Sequence, residues 1–210
     1  MSLQITSTTP PTEPVAVDDV KARLRLTTTA DDATIALQIT AAREFAEKVT
    51  RRSLCFKSYA YIIDRFPFPH EPIRVPVPPL IAVTGITFLD STLTEQTWDP
   101  ADYFIAGKQS PALIVPVPGI IYPPTAHVPG AVEIDFTAGY GYPGVTANPS
   151  ATPPVVGIPA GPSCPQHIAE GICKLAVHLY EHPESVTAEG LKEAPAGFTA
   201  LFGANKVYVF

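Results

Sequence analysis

The sequence predicts an α+β fold: an α-helical bundle with an antiparallel β domain inserted between its second and third helices, and an extended C-terminal tail. Three observations carry that prediction. Residues 31–52 place apolar side chains at helical spacing, and residues 59–136 hold a succession of short β-branched and aromatic runs bounded by Pro, Gly or Asp. Helical spacing then returns after residue 165.

Residues 1–15 are polar and Pro-rich and are expected to form an extended arm. A first helix is expected from about Val17 to Leu26. Asp18 and Asp19 fall in its opening turn, where carboxylates favour the positive helix end, and Val20 and Leu24 share a face. The second helix, about Asp31 to Arg52, is the most strongly patterned element. Ile35, Ile39, Ala42, Ala46 and Val49 recur every three or four residues and form one stripe for inter-helix or intersubunit packing. Glu44 precedes Lys48 by four residues, a favourable surface pair, and Arg51 and Arg52 complement the negative helix end.

The period then changes to that of strands, expected at Tyr59–Asp64, Val83–Leu89, Tyr103–Ile105, Leu113–Val115 and Val132–Phe136. Pro76, Pro78 and Pro79 lack backbone donors, which confines them to strand ends, edges or loops. Residues 142–165 are a Pro/Gly/Ala/Ser stretch without periodicity. A third helix opens at Pro165, carries Ile168, Ile172, Leu175 and Leu179 on one stripe, and ends at Pro183. The implied division is an arm at 1–15, a first helical part at 16–54, the β domain at 55–145, a Pro/Gly-rich loop at 146–164, a second helical part at 165–197 and a tail at 198–210.

Composition narrows the function. The hydrophobic share of 46% builds a real core, while charged residues make up 16%, against roughly 25% in average globular proteins. Proline, at 25 residues, stands at about twice its usual frequency. So few charges suit a subunit that hides surface in an assembly, and equally a Pro-rich β protein with long loops. The net charge of −6 argues against a general nucleic-acid binder, which needs clustered Lys and Arg. Residues 18–57 are nevertheless net +2. Arg43, Lys48, Arg51 and Arg52, with Lys57, are therefore candidates for touching DNA or an acidic partner, against the plainer alternative of a solvated helix face. The start of the chain lacks the pattern of a secretory signal, no window resembles a membrane span, and three cysteines without CxxC give no disulfide framework. Cytoplasmic synthesis with free thiols is expected.

Catalytic and cofactor signatures fail on their own geometry. Gly139-Tyr140-Gly141-Tyr142-Pro143-Gly144 matches G-x-G-x-x-G, but the prolines that follow forbid the helix a dinucleotide site requires. Cys164, His167, Cys173 and His178 resemble a metal cluster, yet on one helix the two histidines would stand roughly 16 Å apart. No metal, no cofactor and no catalytic residue is assigned. Asp18-Asp19 and Asp31-Asp32 each open a helix, where carboxylates are expected for capping.

The tail is the most distinctive segment. Phe198, Leu201 and Phe202 suggest a short amphipathic turn, and Val207, Tyr208, Val209 and Phe210 place apolar groups on both faces of an extended strand. So apolar an end suits strand addition to a partner or a neighbouring copy; docking onto the chain's own β unit is the alternative.

With these elements in place, the sequence resembles the head–tail connector (adaptor) family of tailed phages and gene-transfer agents, in the long form with an inserted β domain. The resemblance runs in order through PVAVDDVKARLRL (14–26), TAAREFAEKVTRRSL (40–54), VTGITFLD (83–90) and PALIVPVPG (111–119). It continues through GAVEIDFTAGYG (130–141), HIAEGICKLAVHLYEHPESV (167–186) and PAGFTALFG (195–203). It implies a structural protein of the virion neck: a homo-oligomeric ring of about twelve subunits beneath the portal protein. Such a ring lets double-stranded DNA pass without sequence-specific binding and offers a platform to a stopper or tail-side neck protein. It also implies portal contact through Phe198, Leu201, Phe202 and the terminal strand. The long 142–165 stretch and the terminal KVYVF depart from the family pattern. The rival expectations are another tail-completion or stopper protein, and an uncharacterised hydrolase.

Overall fold

The computed structural model describes residues 2–6, 12–69, 71–106, 110–141, 161–182, 196–204 and 206–207. The chain is α+β, with helices α1 (Val17–Leu24), α2 (Asp32–Thr50), α3 (Gln166–Glu181) and α4 (Ala196–Gly203). Strands β1 (Ser2–Ile5), β2 (Lys57–Ile63), β3 (Ile73–Arg74), β4 (Leu80–Leu89), β5 (Glu95–Thr97), β6 (Tyr103–Ala106), β7 (Leu113–Pro116) and β8 (Val132–Ala138) complete it. All pairings are antiparallel: a five-stranded sheet in the order β1-β2-β8-β4-β5 and a three-stranded sheet in the order β3-β7-β6.

Both early helices stop sooner than their apolar spacing suggests. Arg25 and Arg51 adopt left-handed backbone angles (φ 56° and 55°) that terminate α1 at Leu24 and α2 at Thr50. Part of the expected arm is a strand. Residues 2–5 pair with β2, opposing Leu3 to Tyr61 and Ile5 to Tyr59, although all four side chains are exposed. Main-chain bonding to an open sheet edge holds β1 there, and four residues without burial leave no signal in the sequence. Strand β5, three exposed residues, escapes sequence reading for the same reason, and β3 because it is two residues long.

The apolar side chains gather into two clusters. One joins Val20, Ile35, Ile39, Ala42 and Ala46 to Ile168, Ile172, Leu175, Ala176, Leu179 and Phe202. The helices approach closely: a Cβ on Gly171 of α3 would stand 2.8 Å from side-chain atoms of Leu201 and Phe202 on α4. The other cluster is aromatic and lies between the sheets. Phe66 stacks on Tyr122 at 5.1 Å and meets Trp98 and Phe88 edge-on at 5.4 and 5.9 Å.

One carboxylate ties the end of α2 to the start of the β region. Glu47 accepts from Arg43 (2.9 Å), Lys57 Nζ (2.8 Å) and the amide of Leu54 (2.9 Å). Nearby, Gly139 takes φ +121° against the backbone of Cys55, where a Cβ would fall 2.0 Å from the carbonyl oxygen. The first glycine of the G-x-G-x-x-G match therefore serves a close backbone crossing after β8.

Candidate assembly interface

The two helical stripes are taken up within the chain. Ile35, Ile39, Ala42, Ala46, Ile168, Ile172, Leu175 and Leu179 are buried in one cluster, with Val49 half-buried beside them. These stripes join helix to helix, which revises the ring-packing part of the expectation. One helical surface left open is the opposite side of α2, where Leu37 is 70% exposed in line with exposed Glu44, Lys48 and Arg51.

The basic candidates divide in the same way. Arg43 is 3% exposed, and its guanidinium binds Glu13 (2.8 Å) and Glu47 (2.9 Å), so its acidic partners belong to its own chain. That corrects its candidacy for DNA contact. Burial alone would disfavour the charge, but the Glu47 and Glu13 carboxylates outweigh it and raise the pKa. Lys48 and Arg51 face solvent, while Arg52 is half-buried with Nη1 3.4 Å from the Tyr140 hydroxyl. Lys57 bonds Glu47.

Three of the four carboxylates in the acidic pairs have structural partners. Asp19 accepts from the Ala16 amide, Asp32 pairs with Lys21 at 2.7 Å, and Asp31 accepts from the Tyr180 hydroxyl at 3.1 Å. On the outer face of α1 and α3, Arg23 forms a two-pronged pair with Glu170, which Lys174 also approaches at 3.4 Å.

In the tail, Phe202 is fully buried, 6.3 Å from the ring of Phe45, and Phe198 packs against the same cluster. The Val207 amide donates to the Thr50 carbonyl at 3.0 Å, and its side chain is buried. The described part of the tail thus docks on α2 and α3 and leaves Leu201 partly exposed. Tyr208, Val209 and Phe210 lie outside the described residues, as does most of the 146–164 stretch.

The β region presents features the sequence did not announce. The β4–β5 hairpin turns through Asp90–Thr94, with Leu93 at φ 61° and 61% exposed. The Asp90 carboxylate accepts from the hydroxyl and amide of Thr92, the amide of Thr94 and the side chain of Gln96. Those donors, the Thr92 hydroxyl foremost, pull its pKa down to about 2. The spacing Asp-x-Thr-x-Thr was the available signal for so rigid a turn. Beyond the end of β2, an open groove of about 630 Å³ runs between Tyr61, Ile63, Phe66 and the 67–76 segment, where Phe68 is 75% exposed.

The thiols are poorly suited to chemistry. Burial pushes Cys55 and Cys164 up to about 11 and raises Cys173 as well, so all three stay protonated at neutral pH. Among the described residues no group of three His, Cys, Asp or Glu side chains is placed to hold a metal ion. No described helix is long and apolar enough to cross a membrane.

Comparison with known proteins follows the fold. Residues 15–87, just over a third of the chain, match the family described as phage gp6-like head-tail connector protein. The structure aligns with a chain in the neck of an empty gene transfer agent particle computed with C6 symmetry. The TM-score is 0.70 and the identity 22%, covering 100% of this chain and 97% of that one. The same values hold for a chain in the virion of the native gene transfer agent particle. A chain in the neck of the native particle computed with C12 symmetry aligns at TM-score 0.67 and 20% identity, again covering 100% and 97%. A search of curated proteins finds no match. The resemblance drawn from the sequence is thus found independently: residues 15–87 match the head-tail connector family, and the whole chain shares the fold of chains from the necks of gene transfer agent particles.

Proposed function

We propose that this chain is a head-tail connector subunit, one wedge of a ring of about twelve beneath the portal in the neck of a tailed-phage or gene-transfer-agent particle. The observation that carries the proposal is fold agreement over 100% of the chain with a neck chain, joined to the family match at 15–87. The work is assembly, not turnover: the ring extends the DNA channel and offers the next neck protein a platform.

The domain reading belongs to the same proposal. Residues 16–54 and 165–197 form one helical bundle, and 55–145 form a β domain inserted between its second and third helices. The separation of a mainly aliphatic helical cluster, joined by Tyr140 from the end of the β segment, from an aromatic β cluster supports it. Since the apolar stripes close the bundle on itself, the ring contact falls to the outer side of α2, around Leu37, Lys48 and Arg51. The tail keeps its portal role in divided form. Phe198, Phe202 and Val207 anchor α4, while Leu201 and the terminal Tyr208, Val209 and Phe210 reach the portal. A segment that orders on binding pays its ordering entropy at that moment, which leaves the free subunit monomeric or weakly associated until the portal templates it.

Cryo-EM of the particle tests the reading. A ring of this chain directly below the portal, joined through the outer side of α2, is expected. A position further along the tail, or a ring without α2 at its joints, would overturn it in favour of a stopper or tail-completion protein. A stable closed ring of purified, portal-free chain at low concentration would overturn the templating step.

A further inference from the structure

The five-stranded sheet carries two unlike surfaces at one end. Ile63 of β2 and Phe88 of β4 both register with Val132 of β8, so the ends of β2 and β4 lie level, at the end remote from Glu47 and α2. Beyond β2 lies the groove lined by Tyr61, Ile63, Phe66 and Phe68. Leu3 and Ile5 oppose Tyr61 and Tyr59 and extend its apolar surface, at 41% and 61% exposure. Beyond β4 stands the hairpin tip with Leu93 held outward by the Asp90 network. The strand order separates β2 from β5 by three steps, about 14 Å at roughly 4.8 Å per strand.

Charge distinguishes the two flanks. From residue 75 to 106 the chain carries Asp90, Glu95, Asp99 and Asp102 and neither Lys nor Arg. The charged side chains lining the groove are Arg65, Arg74 and Glu71, all exposed, and neither arginine forms an ion pair among the described residues. An apolar seat whose guanidiniums form no ion pair among the described residues therefore lies level with an apolar knob set among carboxylates, on the opposite flank.

We propose that the hairpin tip around Leu93 of one copy seats in the Tyr61–Phe66–Phe68 groove of the next copy. This inference rests on the ring reading and assigns the β region a lateral contact of its own. A closed ring needs two different, complementary surfaces related by a rotation without a step along the axis. Two surfaces level with one another on opposite flanks of one sheet meet that requirement when the strands run along the ring axis. Burial of Leu93 against aromatic rings supplies the apolar part, and Arg65 and Arg74 against Glu95 and Asp99 set the register.

Two full-length variants, Phe68→Cys and Leu93→Cys, test the contact when mixed at high concentration under mild oxidation and when co-assembled into particles. A disulfide-linked dimer containing one of each, at least tenfold above what either variant gives alone, is expected in both settings. Unchanged circular dichroism checks that each variant folds. Absence of that dimer in the mixture and in particles that incorporate both variants would overturn the contact. As a second arm, Arg65→Glu with Arg74→Glu is expected to cut the trapped dimer at least tenfold, and Glu95→Arg with Asp99→Arg on the partner to restore it; failure of the rescue would overturn the charge pairing. A ring seen by cryo-EM without the cross-link removes this contact and leaves the ring reading standing. A cross-link without a ring does the reverse.

Discussion

The helical and β regions are closed by different atoms, and the difference shows which of them is finished. The helical cluster is built mainly from Ile, Leu, Val and Ala, with Phe202 and Tyr140 as its buried rings and Gly171 at the close approach to α4. It encloses its apolar stripes almost completely. The β cluster relies on Tyr59, Phe66, Trp98, Tyr103, Tyr122 and Phe136, large rings that fill space between two small sheets. Of ten large apolar side chains left exposed among the described residues, only Leu37 and Leu201 belong to helices. The unfinished surface therefore lies mainly in the β region, where scattered exposure is ordinary but a lined groove is not.

The largest effect expected from breaking this comparison is at the crossing between the regions. Gly139→Ala forces a Cβ onto the Cys55 carbonyl at a left-handed φ, and is expected to cost about 4 kcal/mol or to prevent soluble folding. Urea unfolding followed by circular dichroism measures it; a loss below about 1 kcal/mol would show that the crossing relaxes freely.

Next come matched deletions on either side, Ile172→Ala and Phe66→Ala, each expected to cost about 3 kcal/mol. Both residues are buried, at 0% and 7% exposure. Trp98 is the single tryptophan and contacts Phe66 at 5.4 Å, so its emission reads the β region while helical circular dichroism reads the other. Phe66→Ala is expected to shift tryptophan emission in the native state, and Ile172→Ala to leave it unchanged. Equal shifts from both would mean that the two clusters behave as one.

Glu47→Gln should cost about 2 kcal/mol, because it weakens the hold on Arg43 and Lys57 in a partly buried site. Its more telling result is an expected separation of the tryptophan and circular-dichroism transitions, against coincident transitions expected for the unaltered chain. Coincident transitions in the variant would assign the coupling to Gly139 and its neighbours.

The smallest effect is at the hairpin. Asp90 has a depressed pKa, so its contribution is fully present above the ordinary carboxylate value near 4 and is lost as pH falls through about 2. Amide NMR of Thr92 and Thr94 is expected to stay unchanged from pH 7 to about 4 and to move below that. A midpoint near 4 would mean that the carboxylate is not bonded in solution.

Much of this architecture is legible in the sequence. The spacing of Ile35, Ile39, Ala42 and Ala46, and of Ile168, Ile172, Leu175 and Leu179, names the buried faces of α2 and α3, because one helix period leaves one apolar side. The β-rich stretch is legible as a class, while β1, β3 and β5 are not, since β1 and β5 bury no side chain and β3 is two residues long. Among the candidate contacts, Lys48 and Arg51 faced outward as a polar helix side suggests. Arg43, three residues along from Thr40, belongs by type to the same surface and turned inward only because Glu13 and Glu47 came to meet it.

The sequence by itself determined the order of the longer helices and strands and their apolar stripes, because these depend on neighbours within a turn or two. The tertiary structure decided what each exposed group faces. Only the folded chain brings Glu47 to Lys57, sets Gly139 on Cys55, and lays Leu3 beside Tyr61 at the rim of a groove. Those contacts join residues far apart along the chain, and no local pattern records a partner that arrives only when the sheet closes.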